Sequence, residues 1–317
     1  MKISFVIPCY RSEHTLRGVV DEIKATVLQR PAVDFEIVLV DDCSPDGVWN
    51  TITELVSENS NIKAIQFTRN FGQHAALMAG FSHVDGDIVF SLDDDGQAPV
   101  DELWEVIDEL DKGFDLVYGE YPEIKQNAFR RFGSWFNCKM NEALLGWPKG
   151  LHGSSFYACR RIVVDEAVRY DHPYPYVGGL LLRVTKKVGA VEVHQRSRIE
   201  GKSGYTLTKL IGLWLNAFTA FSVKPLRVSA YTGGICAIAG FIYGIILVIR
   251  KLALADIIAG YSSLMAVLLF VSGVLMIMLG LIGEYIGRIY ICINRSPQYV
   301  IRRSLNASDI AGGGAAR

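Results

Sequence analysis

Three consecutive carboxylates, Asp93-Asp94-Asp95, followed by Gly96-Gln97, stand directly after the apolar run Ile88-Val89-Phe90-Ser91-Leu92. An apolar run of that length bounded by polar residues predicts a buried strand, which delivers the carboxylates to the C-terminal edge of a sheet, where α/β proteins bind ligands. Like charges crowded this closely repel unless a cation sits among them. Carboxylate oxygens suit Mg²⁺ or Mn²⁺, and such an ion in turn binds the phosphates of a nucleotide. A solvated acidic turn has the same composition, so the triplet needs support from the rest of the chain.

That support lies in three further polar clusters that follow strand-like runs. Pro8-Cys9-Tyr10 and Glu13 follow residues 3–7, Asp41-Asp42-Cys43-Ser44-Pro45-Asp46-Gly47 follow 35–40, and Arg69-Asn70-Phe71-Gly72-Gln73 follow 64–67. Helical spacing over 16–27, 48–56 and 75–81 separates them, and this alternation predicts an α/β fold with a mainly parallel sheet. Each cluster alone reads as a turn; together they converge on one crevice. A short strand at 116–118, an amphipathic helix near 129–145 and a strand at 188–193 continue the same domain, because no Pro/Gly/Ser-rich linker separates them. His74, at a helix start, reads as an ordinary hydrogen-bonding histidine.

Half of the 317 residues are hydrophobic, and the excess is concentrated towards the C-terminus. The 22 residues between Arg227 and Arg250 carry no charge, nor do the 27 between Asp256 and Glu284. As helices they are roughly 33 and 40 Å long, enough for a hydrocarbon core of about 30 Å, and two membrane spans are expected. Lys202, Lys209, Lys224 and Arg227 precede the first and Arg288, Arg295, Arg302 and Arg303 follow the second, against Arg250 and Lys251 between them. Both termini are therefore expected in the cytoplasm. Residues 206–223, apolar with few charges, suit a helix lying on the membrane surface. The six cysteines form no metal-ligand pattern, and a net charge of −1 argues against nucleic acid as a partner.

The stretches VIPCYRSEHTL, IVLVDDCSPDG, TRNFGQHAALMAGF and DIVFSLDDDGQAP, with IEGKSGYTLTKL and the C-terminal NRSPQY, resemble the inverting family 2 glycosyltransferases of GT-A fold. The match is to the polyisoprenyl-phosphate branch, with GtrB-type, ArnC-type and dolichol-phosphate-mannose synthase enzymes. The resemblance implies a GT-A (Rossmann-like) catalytic domain over 1–200 and an acceptor loop with a juxtamembrane helix over 201–227. It further implies two transmembrane helices at about 228–250 and 257–283 within 228–284, and a cytoplasmic tail over 285–317. The implied activity moves one sugar from a nucleoside-diphosphate sugar, with uridine as the expected base, to a polyisoprenyl phosphate such as undecaprenyl phosphate. The setting is the cytoplasmic face of a bacterial plasma membrane, in cell-envelope glycan modification. A flippase, a second glycosyltransferase and a homo-oligomer, a tetramer by the resemblance, are the implied partners. A processive polysaccharide synthase lacks enough spans and the Q-x-x-R-W motif here, and an inactive scaffold has no need of the acidic triplet.

By the same resemblance Pro8, Tyr10, Glu13, Asp42 and Asp94 hold the nucleotide. Asp93, Asp95 and Gln97 are catalytic, with Mg²⁺ or Mn²⁺ on Asp95. Arg130, Arg131, Arg196, Arg198, Lys202 and Ser203 are the candidates for the acceptor phosphate, since guanidinium and ammonium groups bind phosphate by charge-assisted bonds. Where dolichol-type relatives carry an acid, this chain reads Leu151-His152-Gly153-Ser154-Ser155-Phe156. No side-chain base is expected, because a phosphate monoester with a second pKa near 6 is already a dianionic nucleophile.

Overall fold

The computed structural model describes residues 1–121, 139, 142, 147–148, 150–151, 153–194, 196, 224–253, 261–294 and 296–307. It divides into two compact units, residues 1–206 with 295–317, and residues 207–294. The expected helix near 129–145, apart from Lys139 and Glu142, and that over 206–223 fall outside the described residues, as do Arg130, Arg131, His152, Arg198, Lys202 and Ser203.

The first unit is built on one eight-stranded sheet of order β7-β5-β6-β4-β1-β2-β3-β8. The strands are β1 (Lys2–Cys9), β2 (Asp34–Asp41), β3 (Ile62–Phe67), β4 (Ile88–Ser91), β5 (Leu116–Glu120), β6 (Tyr157–Arg160), β7 (Val188–Glu192) and β8 (Ile301–Leu305). Strands β1 to β4 pair in parallel, as their separation by helical segments requires, and their registers set Cys9 beside Asp41 and Asp41 beside Gln66. All four therefore end at one edge. The strand order reverses at β1, with β2 on one side and β4 on the other, which opens a crevice there. β6 and β8 run antiparallel to their neighbours.

Two layers of helix cover the sheet. On one face α1 (Leu16–Val27), α2 (Val48–Glu58) and α4 (Leu103–Leu110) close over Ile3, Phe5, Ile7, Ile37 and Leu39 in a single buried cluster. α1 buries Leu16, Val19, Val20, Ile23 and Val27, the i, i+3, i+4 spacing of an amphipathic helix. On the other face lies α3 (Gln73–Phe81), buried from Ala75 to Phe81. Its small residues allow close approach: a Cβ on Gly80 would stand 2.3 Å from Val6 Cγ1. α5 (Arg161–Ala167) and α6 (Val177–Val184) complete the unit.

The second unit contains two long helices, α7 (Lys224–Ala253) and α8 (Tyr261–Ile293). Among the described residues only Phe270–Ile293 is both long and apolar enough to cross a membrane. α7 offers the shorter apolar stretch Ser229–Tyr243, so of the two expected spans one is found at full length among the described residues. Both helices nevertheless expose large apolar side chains, among them Phe241, Ile235, Phe270 and Ile277.

Candidate functional site

The crevice at the C-terminal edge is a cavity of about 290 Å³ whose walls include Pro8, Tyr10, Asp42, Asp93, Asp94 and Asp95. The loops that carry these residues hold one another. After β1 and β2 the backbone enters the left-handed region at Arg11 (φ 60°) and Cys43 (φ 53°), conformations that non-glycine residues occupy only when their surroundings enforce them. Three bonds do so: Arg11 N–H donates to Ser44 Oγ (3.1 Å), Glu13 N–H to Asp46 Oδ2 (3.2 Å) and Gly47 N–H to Glu13 Oε2 (2.9 Å). Glu13, expected on the nucleotide, is thus turned to the β2 loop.

Asp42 is buried, and its two oxygens accept the backbone N–H groups of Phe71 (2.6 Å) and Gly72 (2.8 Å). This bond pair fixes the loop before α3, where Gly72 adopts φ +93°. Burial pushes Asp42 up to about 6, with Asp41 adding to it and the two amides opposing. Asp94 is also pushed up to about 6, first by burial and further by Asp93, while the Tyr10 N–H that it accepts at 2.9 Å pulls the other way. Thr15 Oγ1 donates to the Asp94 carbonyl (2.6 Å), so the middle aspartate ties the β4 loop to the loop after β1. Asp93 accepts from Gln73 Nε2 (2.8 Å) and Ser155 Oγ (2.5 Å). Asp95 accepts from the N–H of Gln97 (3.1 Å).

The three adjacent carboxylates therefore do not converge on a point. Among the described residues no three His, Cys, Asp or Glu side chains are grouped to hold a metal ion. This fits a cation of the Mg²⁺ class, which takes one or two carboxylates and completes its shell with water and substrate phosphate, and does not fit a protein-only cage. Asp93 and Asp95, both on the cavity wall, are the donors available for it.

Gln97 and Arg196 grip each other through the backbone: Arg196 N–H donates to Gln97 O (3.1 Å) and Gln97 Nε2 to Arg196 O (3.3 Å). The Arg196 guanidinium, expected on a phosphate, forms ion pairs with Glu22 (2.6 Å) and Asp101 (2.5 Å). Gln73, named in the sequence only as the end of a polar cluster, and Ser155, named only within the segment 151–156, are set on Asp93 by the fold. His74 also departs from expectation: its Nδ1 is buried without a partner, and burial lowers its pKa to about 4.

Residues 4–167 match the pattern of Glycosyl transferase family 2, and residues 224–289 that of the GtrB C-terminal hairpin. The chain is 32% identical over 314 residues, 98% of its length and 95% of the relative's, to undecaprenyl-phosphate 4-deoxy-4-formamido-L-arabinose transferase of Enterobacter sp. (strain 638). Among solved structures it is similar to glucosyl-3-phosphoglycerate synthase of Mycobacterium tuberculosis, with TM-score 0.49 and 20% identity over 66% of this chain and 74% of that one. Mannosyl-3-phosphoglycerate synthase of Rubrobacter xylanophilus matches with TM-score 0.49 and 18% identity over 73% and 75%.

Proposed function

The chain belongs to glycosyl transferase family 2, and from that premise we propose that it transfers one sugar from a uridine-diphosphate sugar to a polyisoprenyl phosphate of the undecaprenyl type, inverting the anomeric carbon. The observation that carries the reading is the gathering of four carboxylates, Asp42, Asp93, Asp94 and Asp95, in the walls of one cavity at the mouth of a parallel sheet. Among the described residues no lysine or arginine lines that cavity. Such a site lacks the positive charge that a divalent ion accompanying a diphosphate would supply.

Asp95, with Asp93, would hold Mg²⁺ or Mn²⁺, which when bound neutralises charge on the departing diphosphate. The chain's own residues set the stage. Asp42 and Asp94 lock the α3 and β1 loops, Gln73 and Ser155 fix the direction of Asp93, and Pro8 and Tyr10 wall the nucleotide side. An acceptor phosphate oxygen attacks the sugar's anomeric carbon as the bond to the diphosphate breaks. No proton has to leave a dianionic acceptor, so no general base is needed. Arg198, Lys202, Ser203, Arg130 and Arg131 are proposed to bind the acceptor phosphate, with Arg196 and Gln97 positioning the segment that leads to them.

The lipid acceptor accounts for the apolar second unit, and chain connectivity supports a double crossing. Residues before 207 and after 294 belong to one folded unit, so a hairpin that enters the bilayer must cross it an even number of times. With Phe270–Ile293 as one crossing, α7 supplies the other, and both flanks stay on the cytoplasmic side that their positive charges favour. The reading is tested by supplying the purified chain in detergent with polyprenyl phosphate and a panel of nucleotide sugars, with and without Mn²⁺. Sugar-linked lipid from one donor, dependent on the ion, is the expected product; nucleotide-sugar hydrolysis without lipid product would reject the acceptor.

A further inference from the structure

The loop between β3 and α3, residues 68–72, puts Asn70 and Gly72 on the wall of the crevice and leads into Gln73, which holds Asp93. At its exit Asp42 fixes it by the Phe71 and Gly72 amides. At its entry it is gripped by residues 298–302, which the chain reaches only after both long helices. Tyr299 lays its ring on Phe67, the last residue of β3 (5.3 Å between centroids, 13°), and the buried Phe67 meets the edge of Phe71 (5.6 Å, 82°). Thr68 N–H donates to Val300 O (3.0 Å). The β3–β8 ladder slips at this point: Gln66 faces Arg303 but Phe67 faces Ile301, so Arg302 is an extra residue, and its Nη2 donates to Thr68 O (3.3 Å). A bulge re-aims the side chain it carries, and here it closes the second backbone group of Thr68. The gripping segment is itself anchored. Residues 296–300 have neither helix nor strand, and Gln298 Nε2 donates to the carbonyls of Tyr170 (3.2 Å) and His172 (2.9 Å), spending both amide hydrogens.

We propose that Tyr299 is a positioning residue for sugar transfer, with Gln298 as its anchor: the stack on Phe67 sets where Phe71 stands, and through it the loop that lines the crevice and ends at Gln73. The proposal rests on the glycosyltransferase reading above. Ordinary core packing would ask only for an apolar cover over Phe67. Here the two residues that lead the chain into the crevice, Phe67 and Thr68, are both held by 299–302, one by its ring and one by its backbone. Aromatic pairs prefer offset stacks and edge-to-face contacts, so the two ring contacts fix direction as well as distance. Gly72 turns the backbone at φ +93° directly after Phe71, and a loop that drifts at its entry therefore draws both amides away from Asp42. That would strand a buried carboxylate, a costly outcome that the stack prevents. The residues that wall the nucleotide side, Pro8 and Tyr10, belong to β1 and the loop after it and are not gripped by this segment. Loss of the stack should thus impair turnover more than binding.

The test compares the full-length chain in detergent as wild type, Tyr299→Ala, Tyr299→Phe and Gln298→Glu. It reads amide hydrogen exchange without substrate, binding of free uridine diphosphate, and transfer kinetics with polyprenyl phosphate and the best donor of the nucleotide-sugar panel above. In Tyr299→Ala the Phe71 and Gly72 amides should lose about tenfold or more in protection while β1 and β2 keep theirs within about twofold, because the opening is confined to the loop. Its kcat should fall about tenfold or more, with the KM for the donor and the affinity for uridine diphosphate within about threefold. Tyr299→Phe keeps the stack and should return every readout to within about twofold of wild type. Gln298→Glu, of equal size, sets a carboxylate against two carbonyl oxygens and should repeat the Tyr299→Ala pattern at smaller amplitude; it decides by the same criteria should Tyr299→Ala fail to fold. Unchanged protection of Phe71 and Gly72 would overturn the proposal. So would protection lost evenly across the sheet with kcat falling only as the folded fraction does, which would make Tyr299 a stability residue. A wild type that glycosylates no polyprenyl phosphate would reject the acceptor reading, whereas the exchange measurement uses no substrate and would still decide the clamp, loop-confined loss upholding it and even loss overturning it.

Discussion

Carboxylates are buried at both ends of the parallel sheet, and the two ends treat them in opposite ways. At the N-terminal edge Glu36 accepts from Ser4 Oγ (2.6 Å) and Asp85 N–H (2.5 Å) and pairs with Lys63 (3.0 Å) and Lys2 (3.1 Å). Burial alone would raise its pKa, but these partners hold it down at about 2. At the C-terminal edge Asp42 and Asp94 receive backbone amides and no cation, and both rise to about 6. The same sheet thus pairs its carboxylate with lysines at one edge and leaves its carboxylates without a counter-cation at the other, where the divalent ion is proposed to bind. Uncompensated charge marks the working edge.

The sharpest way to break this contrast is to change one residue at each edge. Asp95→Asn should cut turnover by about a thousandfold or more while the melting temperature stays within a degree or two, because a cleft carboxylate among like charges does not stabilise the fold. Turnover assays beside thermal melts check it, and an active variant would return the triplet to a structural turn. Glu36→Gln should do the reverse: a loss of about 3 kcal/mol in denaturant titrations, since Lys2 and Lys63 lose a buried counter-charge, with nucleotide affinity unchanged.

Acid should separate the edges by sign. Glu36, depressed in the folded chain, contributes stability that is present above its unfolded value of 4.5 and is lost as pH falls towards about 2. Asp42 and Asp94 are raised, so between 3.8 and about 6 the folded chain binds more protons than the unfolded one, and stability falls as pH rises through that window. Without divalent ions the melting temperature should therefore climb from pH 7 to pH 5 and drop below pH 4. Asp94→Asn should flatten the first limb and spare the second. The smallest effect is expected at Arg196, whose partly exposed ion pairs are worth up to about 1 kcal/mol. Arg196→Ala should alter the acceptor KM only a few-fold; a rise beyond tenfold would show that the guanidinium leaves Glu22 and Asp101 to bind phosphate.

Much of the working edge was legible because its chemistry follows strands that announce themselves. Residues 3–7, 35–40, 64–67 and 87–92 are apolar runs ended by polar clusters, and β1 to β4 coincide with them within a few residues. What those polar residues do at the edge was less legible. Asp42 was expected on the nucleotide and spends both oxygens on the Phe71 and Gly72 amides, a bond pattern with no trace in composition. The ring contacts at the loop before α3 were invisible, since Phe67, Phe71 and Tyr299 come from segments far apart in the chain and each looks like an ordinary core residue. β6, four residues long, and β8, with Arg302 and Arg303 in five, lack the alternation that betrays a strand.

The strand β8 sets an order of events during synthesis. Its partner β3 ends at Phe67, and the chain reaches Ile301 only after both long helices have been made. At about 5–20 residues per second, β3 waits roughly 10–50 s with a bare edge. Synthesis of both long helices thus precedes completion of the sheet. Arg303 then closes that edge, with Nε donating to Gln66 Oε1 (2.7 Å) and the guanidinium over the Trp49 ring (4.6 Å). Gln66 in turn donates to Asp41 (2.7 Å), beside the catalytic crevice. A nascent chain that has not yet made its helical hairpin cannot close this sheet edge, so the first unit is completed last, by residues that follow the second.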